Sequence, residues 1–91
     1  MIWTIKYSRE ATKALKKMDR QQARRIQTFI KEKLMTAKDP KDLGEPLKGE
    51  ILGLFWKFRI GDYRIIANID QKEIIIQIIK IGHRREIYRV Q

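Results

Sequence analysis

The segment from Gly53 to Asp70, Gly-Leu-Phe-Trp-Lys-Phe-Arg-Ile-Gly-Asp-Tyr-Arg-Ile-Ile-Ala-Asn-Ile-Asp, constrains this chain more than any other. It reads as two β-strands joined by a tight turn at Gly61-Asp62, because both flanks are rich in aromatic and β-branched residues and Gly-Asp is a common hairpin loop. With Ile60 opposite Tyr63, the hairpin sets Arg59 against Arg64, Phe58 against Ile65, Lys57 against Ile66 and Trp56 against Ala67. Side chains alternate across a strand. One face therefore carries Leu54, Trp56, Phe58, Ile60, Tyr63, Ile65, Ala67 and Ile69, and is assigned to the core. The other carries Phe55, Lys57, Arg59, Arg64, Ile66 and Asn68. Like charges directly opposite one another destabilise a sheet, and no acidic residue of the hairpin faces Arg59 and Arg64. Exposed cations on an open sheet are also ordinary solubilising residues; their concentration on one face and the make-up of the C-terminus favour an anion site.

The totals narrow the choice. Ninety-one residues suit one domain (1–91) with a single two-layer core. A formal charge of +10 repels itself and calls for an anionic partner: nucleic acid, an acidic protein or an anionic membrane. No apolar run approaches a membrane span and no signal-peptide pattern opens the chain, so the expected location is cytoplasmic. Cys is absent and His occurs once, which excludes a disulfide framework, a cysteine nucleophile and a histidine-rich metal cluster. No cofactor or metal is expected.

Ile2 to Tyr7 reads as a short strand, with the face of Trp3 undetermined. Ser8 is a helix N-cap candidate, followed by a helix from Arg9 to Met18 with Ala11, Ala14, Leu15 and Met18 on one face. Asp19 is a second N-cap, with Gln22 placed for a capping box. A longer helix runs from Arg20 to about Lys38 on the stripe Ala23, Ile26, Phe29, Ile30, Leu34 and Ala37. The brief connection between the helices implies a two-helix hairpin. Pro40, Gly44, Pro46 and Gly49 mark an acidic loop, read as a solvated connection. After the central hairpin, a turn near Gln71-Lys72 leads into a last strand from Glu73 to Ile81. Pairing Ile69 with Ile74 puts Ile74, Ile76 and Ile78 in the core and Ile75, Gln77, Ile79 and Ile81 on the cationic face. Because Ile occupies both faces, a three-residue turn would swap them. The expected fold is α+β, in the order β-α-α-β-β-β: a two-helix hairpin on one face of a small, mainly antiparallel four-stranded sheet, with the other face open and basic.

The chain closes with Gly82-His83-Arg84-Arg85-Glu86-Ile87-Tyr88-Arg89. His83 is the one side chain here that ordinarily titrates near neutrality; Arg84 and Arg85 add charge and Tyr88 a phenol. Antiparallel order brings this end beside Tyr63 and Arg64, so that Lys57, Arg59, Arg64, His83, Arg84 and Tyr88 form a candidate anion site, with phosphate the natural anion. His83 and Tyr88 each admit a plainer reading, an exposed strand end and a tail residue folded back on the sheet.

The element order, residues 53–64 and the closing Ile-Gly-His-Arg-Arg-Glu-Ile-Tyr (81–88) resemble the RelE/ParE superfamily of toxin–antitoxin toxins, most strongly from Leu47 onward. The Arg after Gly-Asp-Tyr and the Gly-His-Arg-Arg…Tyr ending are closer to its RelE branch, whose members are ribosome-dependent endoribonucleases that cut mRNA in the A site. The resemblance implies that activity, with Lys57, Arg64, Arg84 and Tyr88 at the family's functional positions. Phe55 stands where the best-known form has a further Lys, so that either Arg59, on the same face, supplies that charge or the charge is absent; the gap from Gly82 to Tyr88 is also shorter. Cleavage would proceed by attack of the RNA's own 2′-OH, without a metal. Arg64 and Lys57 would stabilise the phosphorane with Arg59 assisting, Tyr88 or His83 would be the base, and Arg84 would lie near the leaving oxygen. Arg85 is read as RNA-binding, and the helical cations Lys13, Lys17 and Arg24, with Lys16, Arg20, Arg25 and Lys31, as contacts to RNA phosphates of the ribosome or as merely solvated surface. An acidic antitoxin is the implied protein partner, and the toxin alone is expected to be a monomer. Two other readings stand beside this one: a ParE-like inhibitor of DNA gyrase and a noncatalytic basic RNA- or DNA-binding module.

Overall fold

The computed structural model describes residues 2–47 and 55–87. Among these, β1 (Thr4–Tyr7) leads into α1 (Arg9–Lys17) and α2 (Arg20–Phe29), followed by a π-helical stretch (Ile30–Leu34), a 3-10 turn (Pro40–Leu43) and β2 (Glu45–Pro46). The chain then forms β3 (Trp56–Ile60), β4 (Tyr63–Asp70) and β5 (Ile75–His83). The strands make one sheet in the order β1-β5-β4-β3-β2. Every pairing is antiparallel except β1 with β5, whose order follows from the helical crossover between them. No described helix is long and apolar enough to cross a membrane.

Both expected N-caps form. The Ser8 hydroxyl accepts from the Ala11 amide at 3.0 Å, and an Asp19 carboxylate oxygen accepts from the amides of Gln21 and Gln22 at 3.1 and 3.3 Å, satisfying helix-start donors that have no partner within the helix. The long second helix does not run on as α to Lys38. It ends at Phe29 and widens by one residue per turn, the Met35 amide donating to the Ile30 carbonyl at 2.8 Å. Widening keeps Ile26, Ile30 and Leu34 fully buried while steering the helix end towards β1. There Trp3 donates its backbone amide to the Met35 carbonyl at 2.9 Å and its indole N–H to the Ala37 carbonyl at 3.0 Å. This settles the face of Trp3, which is buried.

The core lies between the helices and one side of the sheet: Trp3, Ala11, Ile26, Ile30, Leu34, Phe58, Ile60, Ile65, Ala67, Ile76, Ile78 and Ile81, with Trp56, Tyr63 and Ile69 packed at its margin. Phe29 meets Phe58 with ring centroids 6.1 Å apart. The β3–β4 register is the one read from the sequence, from Ile60 opposite Tyr63 to Trp56 opposite Ala67. Leu54, assigned to the same face, lies outside the described residues.

Four expectations are corrected. The sheet has a fifth strand, because Glu45 and Pro46 pair with Lys57 and Trp56. The loop before it is therefore more than a solvated connection: Pro40 is fully buried, and a Cβ on Gly44 would sit 2.5 Å from the Lys57 carbonyl oxygen and 2.8 Å from the Phe58 ring. In β5, Ile69 pairs with Ile76 rather than Ile74, because the turn takes in Gln71 to Ile74 and puts Ile74 at φ 56°. The register then shifts, and Ile79 is skipped in the pairing with β4. That bulge turns Ile81 inward, against the expectation, and places Lys80 opposite Ile66 on the helix-free face. Without it, alternation from Ile78 would drive Lys80 into the core, at the cost of burying a charge.

Candidate catalytic face of the sheet

The helix-free face is built by register. Lys57 (β3), Ile66 (β4) and Lys80 (β5) form one row across three strands, and Arg59, Arg64 and Gly82 form the next. Lys80 is a cation that the sequence reading missed; the signal was a lone Lys in an Ile run, which alternation without a bulge assigns to the core. Glu45 on β2 meets both neighbouring cations, with Oε2 3.8 Å from Lys57 Nζ and 3.9 Å from Arg59 Nη2. Its side chain is 59% exposed, so each pair contributes about 0–1 kcal/mol and yields to a stronger anion. Lys80 lies 3.9 Å from Glu10 Oε2 on α1.

The Gly61-Asp62 turn gathers guanidinium groups. Arg64 Nη1 donates to the Gly61 and Tyr63 carbonyls at 3.0 and 2.8 Å. Arg84 donates its backbone amide to the Asp62 carbonyl at 2.7 Å and holds Nε 3.4 Å from Asp62 Oδ1. Arg25 reaches the turn from α2, its guanidinium so close that a Cβ on Gly61 would sit 2.8 Å from Nη1. Gly61 has φ +59°, a conformation that favours glycine. The turn thus ties Arg64 and Arg84 to a common point, with Asp62 the acidic counterweight.

His83 takes a different place. It pairs with Tyr63, and the rings meet edge to face at 5.6 Å, so His83 shares the helix-side face of Tyr63, away from the face of Lys57 and Arg64. There it lines a cleft with Ala14, Lys17, Met18 and Glu86. Its Nδ1 accepts from the Arg85 amide at 3.1 Å. Lys17 is the one RNA-contact candidate on the helices that borders this cleft; Lys13 and Arg24 are exposed on α1 and α2, and Arg85 is exposed beyond β5. The chain then turns back: amides of Glu86 and Ile87 donate to the His83 carbonyl at 2.8 and 2.9 Å. Ile87 is buried, and its Cδ1 lies 3.2 Å from where a Gly82 Cβ would be. Gly82 stands in the Arg64 row, so Ile87 covers the helix-free face. Tyr88 follows it and lies outside the described residues.

The family described as the ParE toxin of type II toxin–antitoxin systems matches this chain over residues 5–88. The chain belongs to that family. Toxin RelG of Mycobacterium tuberculosis (strain ATCC 25618 / H37Rv) is similar to this toxin, with 29% identity over 89 residues, 98% of this chain and 99% of its own. The toxin–antitoxin complex RelBE2 from the same species contains a chain with TM-score 0.83 and 25% identity, over 92% of this chain and 100% of that one. The RelB–RelE complex from Methanococcus jannaschii shares the fold at TM-score 0.72 and 22% identity, over 94% and 98%. The toxin is thus a member of the RelE/ParE superfamily, and its two helices and mixed sheet share the fold of the RelBE2 and RelB–RelE toxins.

Proposed function

We propose that this toxin is a ribosome-dependent endoribonuclease that cuts mRNA in the A site. The observation that carries the reading is the gathering of Lys57, Arg59 and Arg64 on the helix-free face, with Arg84 tied to the same turn as Arg64. The 2′-oxygen attacks the adjacent phosphorus, the bond to the 5′-oxygen breaks, and the products are a 2′,3′-cyclic phosphate and a free 5′-hydroxyl. A base takes the 2′-OH proton and the 5′-oxygen receives one. Lys57 and Arg64, with Arg59 assisting, offset the charge that gathers on the phosphorane. The exposed carboxylate of Glu45, beside Lys57 and Arg59, is displaced by the phosphate. Arg84 lies at the leaving oxygen.

The base is Tyr88. His83 sits on the helix side and has Nδ1 committed to a backbone amide, whereas Ile87, the residue before Tyr88, lies on the cationic face. Lys13, Lys17, Arg24 and Arg85 contact ribosomal RNA, and an acidic cognate antitoxin covers the basic surface when the toxin is held inactive. Such complexes are what the RelBE2 and RelB–RelE structures contain.

Controlled expression followed by primer extension on a translated mRNA tests the reading. Wild type produces discrete ends within codons that disappear when translation of that message is blocked. Arg84→Ala lowers the cutting by about 10²-fold, the usual effect of removing one transition-state donor. The match to the ParE toxin family favours a second reading, inhibition of DNA gyrase. Intact mRNA together with blocked supercoiling by the purified toxin would select it.

A further inference from the structure

We infer that the helix-free face carries a second site, one that reads a base of single-stranded RNA, adenine in preference to uracil, at the far end of β4 from the Gly61-Asp62 turn. Register alone sets up its central row. Asn68 on β4 pairs with Gln77 on β5, and Gln77 pairs with Lys6 on β1, so two carboxamides and an ammonium stand side by side across three strands. All three are exposed. Neighbouring strands are about 4.8 Å apart, so the two amides fall within the width of one base edge. They border an open cavity of about 450 Å³, which also takes in Asp70, Lys72 and Ile75.

Each of these residues suits a base better than another phosphate. Ile75 is half-buried and offers an aliphatic surface for the flat of a ring. Asp70 Oδ1 accepts from the amides of Lys72 and Glu73, both at 3.1 Å; this fixes a carboxylate at the wall, where it repels a phosphate and accepts from an exocyclic amine. Asn and Gln pair bidentately with the N6 amine and N7 of adenine; carboxamides also meet the N3–H and O4 of uracil, so the preference comes from Asp70, an acceptor-only carboxylate that accepts from the adenine amine and repels the O4 carbonyl of uracil. Recognition of splayed bases on an open sheet is a recurring way of reading single-stranded RNA. Lys6 and Lys72 are then left for the flanking phosphates.

The site rests on the RNA-cleavage reading for the class of its ligand, and its position fits a single bound strand. From Arg64 to Asn68 is four residues of β4, about 13 Å at roughly 3.3 Å per residue. That is about four nucleotides at the 3.4 Å stacked rise and fewer when the strand is unstacked, so one codon-length segment reaches both sites.

Fluorescence anisotropy with labelled oligo(A) and oligo(U) of equal length tests the site without requiring cleavage. Wild type binds oligo(A) more tightly, and the Asn68→Ala, Gln77→Ala double variant lowers the A-to-U affinity ratio at least about fivefold, the lower end of a bidentate contact. Lys57→Ala weakens both oligomers by a common factor and leaves the ratio alone. An unchanged ratio in the amide variant, or equal binding of both oligomers by wild type, overturns the site. Equal RNA affinities alongside altered binding of an acidic peptide would assign the cavity to a protein partner instead. If base discrimination depends on Asn68 and Gln77 but translated mRNA is not cut, the site stands and the endoribonuclease reading alone falls.

Discussion

The Ser8 hydroxyl donates a 2.6 Å hydrogen bond to the carbonyl of Ile79, the residue of β5 that β4 skips. The same oxygen caps α1, and the Ser8 amide donates to the Ile78 carbonyl at 2.9 Å. One side chain therefore joins the start of the helical layer to the bulge that decides which way residues 80–83 face. Where Gly82 stands relative to Arg64, and where Arg84 meets Asp62, both follow from that register.

Substitutions at Ser8 separate the cap from the clamp. Asp keeps the cap, since its carboxylate accepts from an amide, but an ionised Asp has no proton to offer Ile79. Ser8→Thr retains both contacts and should unfold at close to the wild-type temperature. Ser8→Ala loses both, about 1 kcal/mol for the cap and about 1 kcal/mol for the half-buried bond to Ile79. That amounts to a fall of roughly 8–16 °C in the unfolding midpoint for a domain of this size. Ser8→Asp should retain α1 by circular dichroism yet lose mRNA cutting. Cutting at the wild-type level in Ser8→Asp would show that the bulge stands without the clamp.

That clamp also marks where the fold stopped being legible in the sequence. The β3–β4 hairpin was readable to the residue, because a two-residue turn and an apolar/polar alternation fix a single register. β5 was not. Its run Ile74-Ile75-Ile76 and the pair Ile78-Ile79 satisfy either face, so the register was decided by a long turn with Ile74 at positive φ and by a bulge that only Ser8, some seventy positions away, makes visible. The cations followed the same division: Lys57, Arg59 and Arg64 were readable from the hairpin, whereas Lys80 and the helix-side location of His83 depend on the bulge. Arg25 was one of several helical cations until tertiary packing set it against Gly61. Strand β2 was hidden by its length, two residues of which one is proline.

Gly61 and Arg25 should behave as a coupled pair. Gly61→Ala forces a left-handed conformation on a residue with a Cβ, which costs about 1–2 kcal/mol, and drives that Cβ to 2.8 Å from the Arg25 guanidinium. Arg25→Ala removes the second penalty and leaves the first. In a double-mutant cycle by urea unfolding, the pair should show a coupling of at least about 0.5 kcal/mol, with Gly61→Ala less damaging when Arg25 is absent. Strict additivity would mean that Arg25 does not rest on the turn.

Asp62 holds Arg84 at 3.4 Å while being 69% exposed, so its contribution to stability is small and its effect on anion binding is the larger consequence. Asp62→Asn should change the unfolding free energy by less than about 1 kcal/mol. With the competing carboxylate gone, Arg84 becomes available to phosphate. The slope of log affinity against log salt for single-stranded RNA should then steepen by about 0.7, one additional phosphate contact. A shallower slope, or weaker RNA binding than wild type, would make Asp62 a support for Arg84 rather than its competitor.

In the proposed reading Lys13, Lys17 and Arg24, carried by the helical layer, face the ribosome, across the sheet from Lys57 and Arg64. Phosphate contacts of this kind add affinity without sequence choice and without taking part in bond breaking. Replacing Lys13, Lys17 and Arg24 together by Gln should therefore weaken binding to translating ribosomes, and the loss should be greatest at low salt, where screening is least. At saturating ribosome concentration the single-turnover cutting rate should match wild type, whereas Arg84→Ala should remain slow however much ribosome is added. Lys17 also borders the His83 cleft, so a Lys13→Gln, Arg24→Gln double variant serves as the cleaner comparison. A saturated rate that falls with these cations would move them from docking into the chemistry and break the division of labour between the two layers.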